Sequence, residues 1–295
     1  MINYFSKWCK HCNLPLDAEK ALIDGYALLT NTPENAKIFN DVIDVYANDV
    51  ACDFAPLREQ ISNLAKKVGS HEYTAYAVMY VCMNIPLKAH YEKKGYPLDI
   101  YNETIKDVSF HMRAVKLTDG VWGTYTAWHS ALYKMEIFGF GRLQFQPIKS
   151  TIEYHGNGFD LVKDETYYLN IHIPRTETPL DETESLKSIK KGVEFFKDKY
   201  FNGGKVLFHC QSWLLFDKHY EMLKPTSNIL KFMKMFTIID SGNYPDYNQL
   251  WRLFDKYYTG NPDDLPADSS LRREYIAMLK RGEPNGWGRG VFYSE

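Results

Sequence analysis

The hydrophobic pattern of this chain changes kind near Gly120-Val-Trp-Gly123, and that change constrains the fold more than any other feature. Upstream, apolar residues recur at the three-and-four spacing that gives a helix one buried face. Ala18, Ala21, Leu22, Gly25, Leu28 and Leu29 form one stripe, with Asp17 as its expected cap. Thr32 followed by Pro33 marks the next helix start, and Phe39, Val42, Ile43 and Tyr46 repeat along it. A third stripe carries Leu57, Ile61, Leu64, Ala65 and Val68. A fourth opens at Ser70 and runs through Ala77, Val78, Val81, Cys82 and Ile85, and Pro86 and Pro97 are expected to punctuate shorter helices after it.

Downstream, period-two alternation takes over. Leu143 and Phe145 alternate with Gln144 and Gln146, and His155-Gly-Asn-Gly158 predicts a hairpin turn between strands near 142–154 and 159–163. A strand over 167–173 follows, then a helix over about 181–200 capped by Asp181 or Thr183, a Gly203-Gly204 turn and a strand over 205–210. That order is a β-hairpin feeding a βαβ unit. Helices near 216–224 and from Ser227, a strand at 236–239 and two amphipathic helices complete the reading, the last ending at Gly282. The expected fold is α+β or α/β: a helical domain over 1–120, then a mixed sheet with flanking helices over 121–295.

Charge excludes several function classes. Lys and Arg total 35 against 37 Asp and Glu, a net charge of −2, so no whole-chain field attracts nucleic acid or an anionic membrane. No apolar run approaches the roughly 20 residues of a membrane span, and the first residues lack the layout of a secretion signal. A cytoplasmic protein is expected. Five unevenly spaced cysteines argue against a disulfide framework. Cys9 and Cys12 have the spacing of half a zinc site, but no second close pair completes it, so no metal is expected.

Chemistry-bearing residues gather where strands give way to helices, the places at which open α/β sheets hold ligands. The strand before the 181–200 helix ends in His172, and alternation places Tyr168, Asn170 and His172 on one face. His172 is the candidate general base. Lys205-Val-Leu-Phe-His-Cys-Gln-Ser212 ends the second strand in His209, Cys210 and Ser212. Cys210 is a candidate nucleophile or proton donor, Ser212 a neighbouring hydroxyl or a helix cap, and His209 points away from Cys210 on a regular strand. Glu136, beside aromatic residues expected to form a strand, is a second base candidate if burial raises its pKa.

The ordered series Trp128-His-Ser-Ala-Leu-Tyr133, Gly141-Arg-Leu-Gln-Phe145, His172-Ile-Pro174 with Pro179-Leu180, Cys210-Gln-Ser-Trp-Leu-Leu215, Ser227-Asn-Ile229, Ser270-Leu-Arg-Arg273 and Leu279-Lys-Arg-Gly282 resembles a bacterial family of acyltransferases. Members of that family join a helical N-acyltransferase N-terminal domain to a GNAT-like C-terminal domain. The resemblance implies an acyl-coenzyme A co-substrate, acetyl-coenzyme A being the expected one, and direct transfer to a small-molecule or peptide amine. It places the coenzyme A pyrophosphate at the strand–loop–helix of residues 167–200, with Ile173, Arg175, Thr176, Thr178 and Asp181 as contacts. Related sequences tend to glycine where this one has Arg175-Thr-Glu-Thr178, so the rival expectation is a non-catalytic binding or regulatory module with a degenerate donor site. A cysteine enzyme built on Cys210 with His172 is a third.

Overall fold

Helix starts in this chain are written in its capping residues. Thr32 accepts a hydrogen bond from the Asn35 amide (3.1 Å), Asp181 from that of Glu184 (2.8 Å) and Ser269 from that of Arg272 (3.2 Å), each satisfying an amide that the first turn leaves without a helical partner. The computed structural model describes residues 1–125 and 127–294, which divide into two units at the Gly139–Phe140 link.

The first unit is helical: α1 (Ile2–His11), α2 (Leu16–Leu29), α3 (Pro33–Asn48), α4 (Phe54–Val68), α5 (Glu72–Lys94), α6 (Leu98–Thr104), α7 (Asp107–Asp119) and α8 (His129–Tyr133), followed by a two-residue strand β1 (Phe138–Gly139). Helices α2, α3 and α4 pack on α5, whose central residues from Thr74 to Asn84 are all buried. A helix apolar on every side belongs at the centre of a bundle. Pro86 does not end it, contrary to the sequence expectation; α5 continues to Lys94. An interior proline costs about 3 kcal/mol, and the burial of Val78, Val81, Met83 and Leu87 along the same helix offsets that locally. Tyr46, Tyr80, Tyr91 and Tyr133 are fully buried around α5. Their hydroxyls are satisfied: Tyr46 donates to the Tyr133 carbonyl (2.8 Å), and Tyr133 reaches the Tyr80 carbonyl and Asn84 Oδ1 (2.7 Å each). Two cap expectations also shift. Asp17 lies inside the first turn of α2 and holds the Trp122 indole (2.7 Å), and His71 rather than Ser70 caps α5.

The second unit is a mixed sheet. Its strands β2 (Gln144–Lys149), β5 (Tyr167–His172), β6 (Leu207–Ser212), β8 (Gly286–Tyr293) and β7 (Thr237–Asn243) lie side by side in that order, and a separate hairpin pairs β3 (Tyr154–Gly156) with β4 (Phe159–Leu161). Only β5 and β6 run parallel among these neighbours, joined by α9 (Glu182–Tyr200). Short helices α10 (His219–Met222), α11 (Asn228–Met233) and α12 (Trp251–Phe254) precede α13 (Ser270–Lys280). The helical first unit and the mixed sheet with flanking helices are the expected fold class. No helix among the described residues is long and apolar enough to cross a membrane.

Two strand assignments differ from expectation. The turn at 155–158 is as read, with Asn157 and Gly158 both at positive φ (50° and 80°), the geometry of a two-residue hairpin. Its strands are short, however, and β2 leaves them to pair with β5. Strand β8 was not foreseen, because glycine at 286, 288 and 290 reads as loop. Tertiary packing demands glycine there: a Cβ on Gly288 would stand 2.1 Å from the Leu215 carbonyl oxygen.

Candidate functional site

The polar end of one sheet face gathers the candidate chemistry. Cross-strand partners share a face, so the pairs Gln144 with His172, Gln146 with Asn170, Asn170 with His209, Gln211 with Arg289 and Arg289 with Asp240 lay one polar row over five strands. The other end of this face is apolar, with Tyr168, Leu207 and Val291 packed under Leu161 and Phe159 of the β3–β4 hairpin. The opposite face carries Phe145, Leu169, Ile171, Phe208 and Cys210, and α9 packs against it with Gly192 over the Phe145 ring.

Three strands build a continuous hydrogen-bonded chain. His209 Nδ1 lies 2.8 Å from Asn170 Oδ1, Asn170 Nδ2 lies 3.2 Å from His172 Nε2, and His172 Nε2 lies 3.0 Å from Gln146 Oε1. His209 is buried and stacked on Tyr168 with ring centroids 4.4 Å apart. Burial, and then the nearby charges of Arg289 and His172, push its pKa down to about 3, so it is neutral at pH 7. Neutral His209 donates from Nδ1 to Asn170 Oδ1, which turns the Asn170 amide N–H toward His172. His172, half-buried at the end of β5, has its Nε2 between the Asn170 amide N–H and Gln146 Oε1, so that nitrogen finds a partner whether or not it carries a proton. An imidazole supported in both states is what a general base requires.

Strands β5 and β6 separate beside this chain. Their pairing is confined to Leu169 with Phe208 and Asn170 with His209, while β5 continues to His172 and β6 to Ser212. The loop that follows β5 is held from below. Buried Arg142 donates to the Pro174 carbonyl (2.9 Å); burial lowers its pKa to about 10, opposed by the charge of Asp181.

The remaining predicted residues fall as follows. Ile173 is half-buried directly after β5, Thr176 donates to the Thr178 carbonyl (2.9 Å), and Asp181 caps α9. Arg175 is paired with Asp255 (2.7 Å), which also holds Arg272 (2.6 Å), so the cation nearest the loop is already engaged. Pro174 and Pro179 contribute no amide N–H to an anion. Cys210 is corrected: it is fully buried, faces away from His172, and burial pushes its thiol up to about 12. That geometry removes the Cys210–His172 pair. Ser212 accepts from the Leu214 amide (3.1 Å) and so caps a 3-10 turn. Glu136 is corrected too: it is exposed, lies in the turn after α8 in the first unit, and is not on a strand. Cys9 and Cys12 are both buried, with thiols pushed up to about 12. Asn170, Gln146 and His209 were not among the predicted site residues. Alternation had put Asn170 on the His172 face, but the pairing of β5 with β6 that brings His209 beside it is not written in either strand.

A helical unit followed by a mixed sheet whose parallel β5–β6 pair parts at its polar end is a GNAT-like fold. The family described as GNAT-like C-terminal domain matches residues 137–292, and the N-acyltransferase N-terminal domain matches residues 5–133. The chain belongs to this N-acyltransferase family, whose members join those two domains. Among solved structures it is similar over 97% of its length, and 86% of the other chain, to an acyltransferase mutant in complex with octanoyl-CoA, at 18% identity and a TM-score of 0.72. It is also similar to an acyltransferase in complex with decanoyl-CoA and teicoplanin, at 19% identity and a TM-score of 0.64, covering 98% of this chain and 99% of that one. A third is an acyltransferase in complex with CoA and 10C-teicoplanin, at 18% identity and a TM-score of 0.63, with 97% and 98% covered. No curated protein matches the chain.

Proposed function

We propose that this chain transfers an acyl group from an acyl-coenzyme A to an amine by direct attack, with His172 as the general base. The observation that carries this reading is the His209–Asn170–His172–Gln146 chain at the point where β5 and β6 part. The acceptor nitrogen gives its proton to His172 Nε2 as it attacks the thioester carbon. The tetrahedral intermediate then collapses, and the coenzyme A thiolate leaves with the acyl carbonyl restored. No covalent acyl-enzyme is needed, in keeping with the position of Cys210 on the far face.

The donor is a medium-chain thioester rather than acetyl-coenzyme A, since the similar structures hold octanoyl-CoA and decanoyl-CoA. The acceptor is a small molecule carrying an amine, for which the teicoplanin complexes are the parallel. Residues Ile173 to Asp181 would border the coenzyme A pyrophosphate, with Arg175 exchanging Asp255 for phosphate. All five cysteines are free thiols, and coenzyme A thioesters are a cytoplasmic pool, so we place the reaction there.

Three features of the loop favour a second reading, a binding module with a lost donor site: Arg175 is neutralised, Glu177 is acidic, and two prolines interrupt the loop. Calorimetric titration of the full chain with coenzyme A and decanoyl-CoA separates the two. Micromolar affinity, with thiol release in the presence of an amine, supports the enzyme; no binding at millimolar concentration overturns it and leaves the module.

A further inference from the structure

Under the loop that follows β5 lies a buried cation whose hydrogen-bonding capacity is largely unused. Arg142 is 8% exposed, and its Nη1 donates to the Pro174 carbonyl (2.9 Å). Nε is buried without an acceptor; among the described residues Nη2 has none either, and no carboxylate lies within ion-pair distance. Asp181 bears on it as a charge without pairing. A guanidinium keeps its charge at neutral pH, and a buried charge without a counter-ion is costly to hold. The side chain therefore calls for an anion from outside the chain.

The shape of the free part says which anion. Nε and Nη2 form one edge of the guanidinium, the fork that takes two oxygens of a single phosphate. Nη1, the nitrogen that Pro174 engages, lies off that edge. The Pro174 contact thus fixes the side chain and leaves the fork free.

The surroundings need such a cation. At the start of α9 the Asp181 side chain and carbonyl take the amides of Glu184 and Ser185, so those of Glu182 and Thr183 stay outside the cap. Asp181, Glu182 and Glu184 place three carboxylates there, and these offset the helix dipole that would otherwise attract an anion. Arg175 must first give up Asp255; Arg142 has no such partner to exchange. Gln144 pairs with His172 across β2 and β5, and Arg142 and Pro174 each lie two residues beyond that pair. Cation, loop and proposed base therefore share one end of β5.

We propose that Arg142 is the pyrophosphate-binding residue of this site, holding that group of the coenzyme A donor on its Nε–Nη2 edge. This rests on the acyl-coenzyme A function proposed for the chain and assigns the donor's charge recognition to a buried residue beside the loop. Calorimetry on the full chain compares decanoyl-CoA, its 3′-dephospho form and decanoylpantetheine. Arg142→Gln should weaken the first two alike, by roughly 10- to 100-fold, the size of a charge-assisted pair, and leave decanoylpantetheine unchanged. A general distortion of the loop would weaken all three, and that result, or no weakening at all, overturns the assignment. A loss confined to decanoyl-CoA puts the 3′-phosphate on Arg142 and overturns it as well. Inorganic pyrophosphate tests the anion site apart from the donor. Added to the wild type, it should shift the Arg142 Nε–H resonance downfield in heteronuclear NMR, a readout that decides the matter if Arg142→Gln unfolds. That shift without any binding of decanoyl-CoA refutes the donor reading and leaves the anion site standing. A resonance that neither pyrophosphate nor decanoyl-CoA moves makes Arg142 an anchor of the loop only.

Discussion

His209 Nδ1 stands 2.8 Å from Asn170 Oδ1 across the parallel β5–β6 pair. Through this contact a buried, neutral histidine fixes which end of the Asn170 amide faces His172. His172 Nε2 is thereby flanked by the Asn170 amide N–H on one side and by Gln146 Oε1 on the other.

Replacing the base tests this directly. His172→Ala should lower turnover by a factor on the order of 10² to 10⁴, the usual contribution of general-base catalysis, with coenzyme A affinity nearly unchanged. Steady-state kinetics paired with calorimetry measures both. An equal loss of donor affinity would assign His172 to binding instead.

Cys210→Ala should leave the rate within a few-fold of wild type, because the thiol is buried on the opposite face and held up to about 12. A stability loss of about 1 kcal/mol is expected from the small cavity. An acyl-enzyme trapped in the wild type, detected by mass spectrometry, would show that the covalent route operates after all.

His209 makes stability sensitive to acid. Its pKa is about 3 in the fold against an ordinary 6.5, so protonation favours the unfolded chain. The contribution is fully present above about pH 6.5, declines by up to about 1.4 kcal/mol per pH unit as pH falls, and is lost near pH 3. Chemical denaturation at several pH values should show a shallower slope for His209→Gln than for wild type across that window. His219, buried and lowered to about 4, supplies a parallel slope that the His209 variant retains.

Gly288→Ala should destabilise strongly, by about 3 kcal/mol or more, because the added carbon meets the Leu215 backbone rather than a side chain that can move. Thermal unfolding measures this. A change below about 1 kcal/mol would mean that the 3-10 turn after β6 yields easily.

Arg175→Ala should weaken coenzyme A binding by roughly three- to tenfold if its guanidinium trades Asp255 for phosphate, the size expected of one partly exposed charged contact. An unchanged affinity would move the pyrophosphate away from this loop.

Much of this molecule was legible in short-range chemistry. Thr32-Pro33, Asp181, Ser227 and Ser269 each cap the helix they announce, and Asn157-Gly158 makes the turn that its positive φ values require. These signals are local: one side chain meets a backbone group a few residues away, and no distant segment need be known. The face shared by Asn170 and His172 was also readable, since alternation along a strand is geometric.

Long-range contacts decided the rest. Helix α5 runs through Pro86 because the burial it gains along its length exceeds the penalty of one lost hydrogen bond. Strand β8 exists because its glycines admit the Leu215 and Phe236 segments, a reason found only in the packed neighbours. The pairing of His209 with Asn170 and of Arg175 with Asp255 joins residues 39 and 80 positions apart. Sequence by itself determined the change from helices to sheet, several of the helix starts and the acyltransferase family. Which histidine is supported, which cysteine is hidden and which arginine is spent were settled by tertiary structure, because burial and charge pairing are properties of the neighbours that folding brings together.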